Sequence, residues 1–274
     1  MTKKMKKKMS HEDKDTGFVS HLTELRKRLI HSFIFLIIFF IICYFFAEYL
    51  YGFLVEPYAQ AVREDGTNRR LIFTALQETF LSYLKVSFFT AFFVTCPFIL
   101  MQIWKFIAPG LYKHEKRAFL PFLIATPILF FIGGAFVYYL VFPVAWPFFA
   151  SFEQQGAEGT MAIALEPKVN EYLSLVMRLI FAFGLSFELP VVMTLLARAR
   201  IMTSDGMRKK RRYAILLAFV AAAILTPPDP LSQIGLALPI ILLYEISIYC
   251  AILIERSRAK RETSGDSDSE TEDA

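Results

Sequence analysis

The sequence predicts an all-α polytopic membrane protein with six transmembrane helices, both termini in the cytosol and a short fifth span. Three observations carry this prediction. The chain of 274 residues is 55% hydrophobic and 16% aromatic, with a mean hydropathy of +0.46, which is too apolar for a soluble domain of this size. Its apolar residues gather into six runs, 29–47, 80–104, 118–142, 171–196, 213–225 and 231–254. Five of these can cross a hydrocarbon core of about 30 Å at about 1.5 Å per residue. Finally, 24 of the 30 lysines and arginines fall before residue 29, in 105–117, in 197–212 and after residue 254. Basic loops resist translocation, so these four segments belong on the cytosolic side and the alternate segments outside.

Residues 1–28 form a cytosolic N-terminal segment. Leu22, Leu25 and Leu29 recur at helical spacing, which predicts an amphipathic helix at the membrane surface running into the first span. The basic start followed by 19 apolar residues lacks an A-x-A-like cleavage site, so the run reads as a retained span and not a cleaved signal. The outer segments 48–79 and 143–170 are rich in Tyr, Trp and Phe and read as interfacial caps. The second span carries Pro97, and the third carries Pro121, Pro127 and the Gly133-Gly134 pair, which mark bends and close helix contacts. Lys85 and Arg178 lie inside apolar runs near their outer ends, where long side chains snorkel to the interface.

The fifth run has 13 residues and spans only about 20 Å as a helix. It pairs with the sixth through the tight turn Thr226-Pro227-Pro228-Asp229-Pro230, and the two read as a hairpin. Residues 29–254 therefore make one six-helix membrane domain, followed by a disordered acidic cytosolic tail, 255–274, and the lysine-rich start likewise has the composition of a disordered segment.

The net charge of +5 follows from the topological bias and is no sign of nucleic-acid binding. Cys43, Cys96 and Cys250 lie in apolar runs and read as packing residues. His11, His21, His31 and His114 show no metal-ligand spacing, and neither H-E-x-x-H nor G-x-S-x-G occurs, which argues against an intramembrane hydrolase. No phosphate-binding G-x-x-x-x-G-K-[ST] is present, and no cofactor is expected.

Two features carry chemistry. The stretch FIAPGLYKHEKR at 106–117 is a basic polar island that holds one carboxylate, Glu115. The Ala108-Pro109-Gly110 sequence is expected to turn the backbone so that Glu115 faces outward as an acceptor for a guanidinium. The plain alternative is a solvated cytosolic loop. Glu188, in Phe187-Glu188-Leu189-Pro190, is an intramembrane carboxylate, which is costly and usually marks function or a partner. Arg178 is ten residues away on another face and cannot neutralise it. Glu24 and Arg28 stand four apart, the spacing of an ordinary helix ion pair. A small-solute transporter using Glu188 as a proton carrier is a competing function, but the internal repeat common in such folds is not evident.

With these pieces in order, the chain resembles the twin-arginine translocase subunit TatC family along nearly its whole length. The resemblance rests on HLTELRKRLI (21–30), FIAPGLYKHEKR (106–117), YLSLVMRLIFAFGLSFELPV (172–191), RKKRRY (208–213) and LTPPDPLSQ (225–233). It implies a receptor and core component of protein export in the bacterial cytoplasmic membrane. Such a protein binds Arg-Arg signal peptides and moves folded cargo with TatA- and TatB-type single-span proteins in an oligomeric complex driven by the protonmotive force. It further implies that Glu24 and Glu115 receive the signal arginines. Arg26, Arg28, Phe106, Pro109, Tyr112, Lys113 and His114 would shape that surface. Glu188, Thr226 and Gln233 would lie near where partner helices dock, with Asp229 in the matching outer turn.

Overall fold

A computed structural model describes residues 3–64, 70–111, 116–153, 166–226 and 230–269. Its backbone is helical almost throughout. The helices are α1 (Lys3–Phe45), α2 (Ala47–Glu64), α3 (Glu78–Leu111), α4 (Lys116–Phe136), α5 (Phe142–Ala150), α6 (Val169–Ser186), α7 (Leu189–Arg198), α8 (Ser204–Lys209), α9 (Arg211–Leu225) and α10 (Pro230–Ser269). A π-helical turn, Val137–Val141, joins α4 to α5. Among the described residues the β structure is one isolated bridge. It ties Ile72 to Lys168, with Ile72 N–H donating to the Pro167 carbonyl and Val169 N–H donating to the Ile72 carbonyl.

Five stretches are long and apolar enough to cross a membrane, namely Thr23–Phe45, Glu78–Trp104, Leu120–Ala150, Val169–Arg198 and Gln233–Arg258. The chain is thus a multi-pass membrane protein, because lipid offers backbone groups no partners and a helix satisfies its own. α9 has 15 residues and packs against α10 as the short arm of a hairpin.

Side-chain size sets the closest contacts. A Cβ on Gly133 would sit 2.6 Å from the Phe183 carbonyl oxygen, and one on Gly184 would meet the Phe130 ring at 2.9 Å. α4 and α6 therefore approach closely because both carry glycine where they cross. α1 runs antiparallel along α3, with Phe35 stacked on Phe98 at 4.7 Å and Phe40 edge-on to Phe88 at 6.2 Å. A buried aromatic group of Tyr58, Phe142, Trp146 and Tyr172 lies where α2, α5 and α6 meet.

Pro57 stands within α2 and has no N–H to donate to the Phe53 carbonyl four residues earlier. The Tyr138 hydroxyl donates to that carbonyl instead, at 2.8 Å, and its ring stacks on Phe53 at 4.4 Å. The π-helical turn holds Tyr138 at this position. Extra backbone turns of this kind re-aim side chains without ending the helix.

Several boundaries differ from the hydropathy reading. The helix expected at Leu22–Leu29 runs into the first span, and it also extends back through the lysine-rich start expected to be disordered, since α1 is unbroken from Lys3 to Phe45. Its polar half contains Lys, Glu and Arg, which are good helix formers, and lacks proline. The fourth apolar run is interrupted, with α6 ending at Ser186 and α7 beginning at Leu189. Pro190 is the cause, because it cannot donate to the Ser186 carbonyl. Where disorder was expected from residue 255, α10 continues to Ser269. The stretch ERSRAKRET has neither proline nor glycine to stop it.

Candidate functional site

Glu24 and Arg28 occupy successive turns of α1, and Arg28 links them to α3. One Arg28 nitrogen donates to Glu24 Oε1 at 2.5 Å and another to the Gln102 carbonyl at 3.1 Å. Gln102 lies four residues before Phe106, so the link places Glu24 beside the end of α3 that leads into the 106–117 stretch. The Glu24 side chain is 47% exposed, and its second oxygen has no partner among the described residues. It can accept another N–H without releasing Arg28. Arg26 is exposed on the neighbouring face.

α3 stays helical through Ala108, Pro109 and Gly110 and ends at Leu111, which corrects the turn expected there. A proline in a helix removes one hydrogen bond and kinks it without necessarily ending it. Only the backbone of Phe106 and Pro109 is described. Tyr112, Lys113, His114 and Glu115 lie outside the described residues, as does Asp229.

A second polar feature sits deeper. Glu188, in the break between α6 and α7, is 4% exposed, and among the described residues neither carboxylate oxygen has a hydrogen-bond partner. Thr126 of α4 lies beside it without reaching hydrogen-bond geometry, and Cys96 of α3 is also near. The Thr126 hydroxyl and the Trp104 indole N–H are likewise buried without partners among the described residues. Val191 and Leu195 follow Glu188 at helical spacing and pack on Trp104, Phe122 and Leu129. Glu188, Thr126 and Trp104 thus line one seam of α3, α4 and α7, where three polar groups go unsatisfied. Cys96 precedes Gln102 by six residues, so this seam begins about 9 Å along α3 from the level of Arg28.

Thr226 and Gln233 serve the α9–α10 hairpin itself. Thr226 Oγ1 donates to the Ala222 carbonyl at 2.8 Å, capping α9, and Gln233 Nε2 donates to the Phe219 carbonyl at 3.2 Å across the turn. At the other end of the hairpin, Arg211 of α9 donates to Glu245 of α10 at 2.7 Å. Glu255 of α10 accepts from Ser204 N and Oγ at 2.8 and 2.5 Å, holding the start of α8. The sequence alone marks neither Glu255 nor Glu245, an acid near the inner end of the last apolar run where water can reach it. The basic block 208–212 was the signal that a partner for Glu245 was close. Gln102 acts through its carbonyl, which no residue type announces.

Among the described residues no group of His, Cys, Asp and Glu is placed to hold a metal. The two features can accept donors at the surface, through Glu24, and present an unneutralised acid within the bundle, through Glu188.

Comparison with known proteins bears on what these features do. The family model "Sec-independent protein translocase protein (TatC)" matches residues 20–239. A Sec-independent protein translocase protein TatC from Magnetococcus marinus is 50% identical over 244 residues, covering 89% of this chain and 87% of the relative. The protein of the same name from Escherichia coli K12 is 40% identical, covering 88% and 90%. A crystal structure of a twin-arginine translocase receptor, TatC, superposes with a TM-score of 0.73 at 38% identity, covering 86% of this chain and 99% of that one.

Proposed function

The chain belongs to the TatC family of Sec-independent protein translocase proteins, and on that premise we propose that it is the receptor and core component of a twin-arginine export system. In this reading it binds Arg-Arg signal peptides on the cytosolic face of the bacterial cytoplasmic membrane. It then moves folded cargo together with TatA- and TatB-type single-span proteins, drawing on the protonmotive force.

The observation that carries the reading is the Arg28 link, which holds Glu24 at the α3 end with one carboxylate oxygen unused among the described residues. A guanidinium offers a planar fork of N–H donors that suits a carboxylate, whereas an ammonium does not reproduce it. Two adjacent signal arginines would engage Glu24 and Glu115. Arg26, Arg28, Phe106, Pro109, Tyr112, Lys113 and His114 would bound the surface. Glu188 and the hairpin residues Thr226, Asp229 and Gln233 would serve partner helices or the polar lining of the transport path. Thr226 and Gln233 fix the hairpin's shape by bonding to α9 carbonyls.

Photo-crosslinking tests the receptor reading. A photoreactive residue at Leu25 should capture a twin-arginine signal peptide, and one at Leu217, on the exposed face of α9, should not. Capture equal at the two positions, or absent at Leu25, would overturn the assignment.

A further inference from the structure

Lys85 and Arg178, the two basic residues inside apolar spans, are brought together by the packing of α3 on α6. Lys85 Nζ donates to Asn170 Oδ1 at 2.9 Å and to Ser174 Oγ at 2.5 Å. Arg178 continues the Asn170–Ser174 stripe by one more turn, close enough to Lys85 for the like charges to interact. Both side chains are exposed on the outside of the bundle. Among the described residues neither has a carboxylate in ion-pair contact.

The acidic groups nearby are already engaged. Glu78 accepts from the backbone N–H groups of Thr74, Ala75 and Asn170 at 2.8, 3.3 and 3.3 Å. Glu171 faces Lys168 at 3.9 Å. Two like charges with no counter-ion on a lipid-facing surface are unfavourable, and an anion from outside the chain relieves them.

A cleft of about 340 Å³ is lined by Lys85 and Lys168, by the two engaged carboxylates Glu78 and Glu171, and by Thr74, Gln77, Asn170 and Leu81, with Arg178 outside its lining. Leu81, Leu84 and Phe88 share the Lys85 face of α3 and are 52%, 36% and 54% exposed. Lys85 lies about 10 Å from the start of α3, and Arg178 about 13 Å from the start of α6. From there, long side chains reach the level of lipid headgroups by snorkelling.

We propose that Lys85 and Arg178 form a binding site for the phosphate of an anionic phospholipid, with the headgroup in the cleft and an acyl chain along Leu81, Leu84 and Phe88. The polar mouth above an apolar strip matches the order of groups in a lipid. A carboxylate on a partner helix would have to be desolvated to reach this depth, whereas a lipid phosphate already sits at the water boundary. The proposal depends only on the chain residing in a membrane and is independent of the receptor reading.

Native mass spectrometry of the purified full-length chain in detergent, titrated with phosphatidylglycerol or phosphatidylcholine, tests it. The wild type should prefer phosphatidylglycerol. Lys85→Gln/Arg178→Gln should weaken that binding about tenfold or more, as expected for the loss of two basic residues facing an anionic headgroup. Arg178→Lys should retain it within about threefold. Circular dichroism and thermal melting establish that the variants fold, and the two single Gln variants serve if the double does not. Unchanged affinity in the folded Gln variants would overturn the site, as would equal binding of the two lipids by the wild type. Displacement of the lipid by glycerol phosphate at equal concentration would assign the pair to a soluble anion. Loss of an acidic single-span partner in the Gln variants, with lipid binding unaffected, would assign it to a protein helix.

Discussion

Among the described residues Glu188 has both carboxylate oxygens buried without a hydrogen bond, in a seam where Thr126 and Trp104 are also unpartnered. A buried carboxyl left without hydrogen bonds costs about 1–3 kcal/mol, and an apolar side chain of similar volume removes that cost. Glu188→Leu is therefore expected to raise stability by about 1–3 kcal/mol, read as a higher melting temperature in detergent. The same variant should impair export and leave signal-peptide affinity within about twofold. A variant that melts lower and loses both functions would show that the acid holds the core together. At this scale the sequence was partly informative. A carboxylate in an apolar run stands out by its chemistry alone, and so did the 106–117 island. The isolation of Glu188 was not legible, because Thr126 and Trp104 are unremarkable in a membrane helix until packing leaves them without partners. The Arg28–Gln102 link escaped for a different reason, since its acceptor is a backbone carbonyl 74 residues away in sequence.

Helix lengths follow closely from hydropathy, because a lipid-exposed helix must be apolar over its whole span. Helix interruptions follow less closely. Pro190 breaks one apolar run into α6 and α7, while Pro57 and Pro127 are carried inside helices. Whether a proline breaks or bends depends on what supplies the missing donor, as Tyr138 does for Phe53, and that is a tertiary fact. The short element with the clearest consequence is α9, whose 15 residues reach about 22 Å against a core of about 30 Å. The hairpin bonds of Thr226 and Gln233 fix its position relative to α10, so the mismatch falls on the bilayer or on a partner. Inserting six leucines after Leu217 should preserve membrane insertion, checked by carbonate extraction, and reduce export several-fold. Export at the wild-type level would mean that the short span has no special role.

Across the whole molecule, the distribution of basic residues predicts which ends face the cytosol. In a background lacking Cys43, Cys96 and Cys250, the variants Gly66→Cys and Gly156→Cys should react with an impermeant thiol reagent in intact cells. Ser267→Cys should react only after lysis, and its labelling in intact cells would invert or break the proposed orientation. That orientation puts Glu24, the α3 end and the 106–117 stretch on the side where unexported cargo resides. The α3–α6 basic pair then falls at the opposite end of the bundle.

The central claim, that Glu24 and Glu115 read adjacent arginines by geometry and not merely by charge, is tested by comparing two peptides. A hydrogen bond to a charged group contributes about 1.5–3 kcal/mol when shielded, and an exposed ion pair about 0–1 kcal/mol. A partly exposed carboxylate such as Glu24 falls between these, near the 1.4 kcal/mol that corresponds to about tenfold in affinity. The measurement is a titration of fluorescent Arg-Arg and Lys-Lys signal peptides into the reconstituted wild type, Glu24→Gln and Glu115→Gln. Each substitution should weaken Arg-Arg binding about tenfold or more and Lys-Lys binding less than about threefold. Equal loss for the two peptides, or no loss for either, would contradict it.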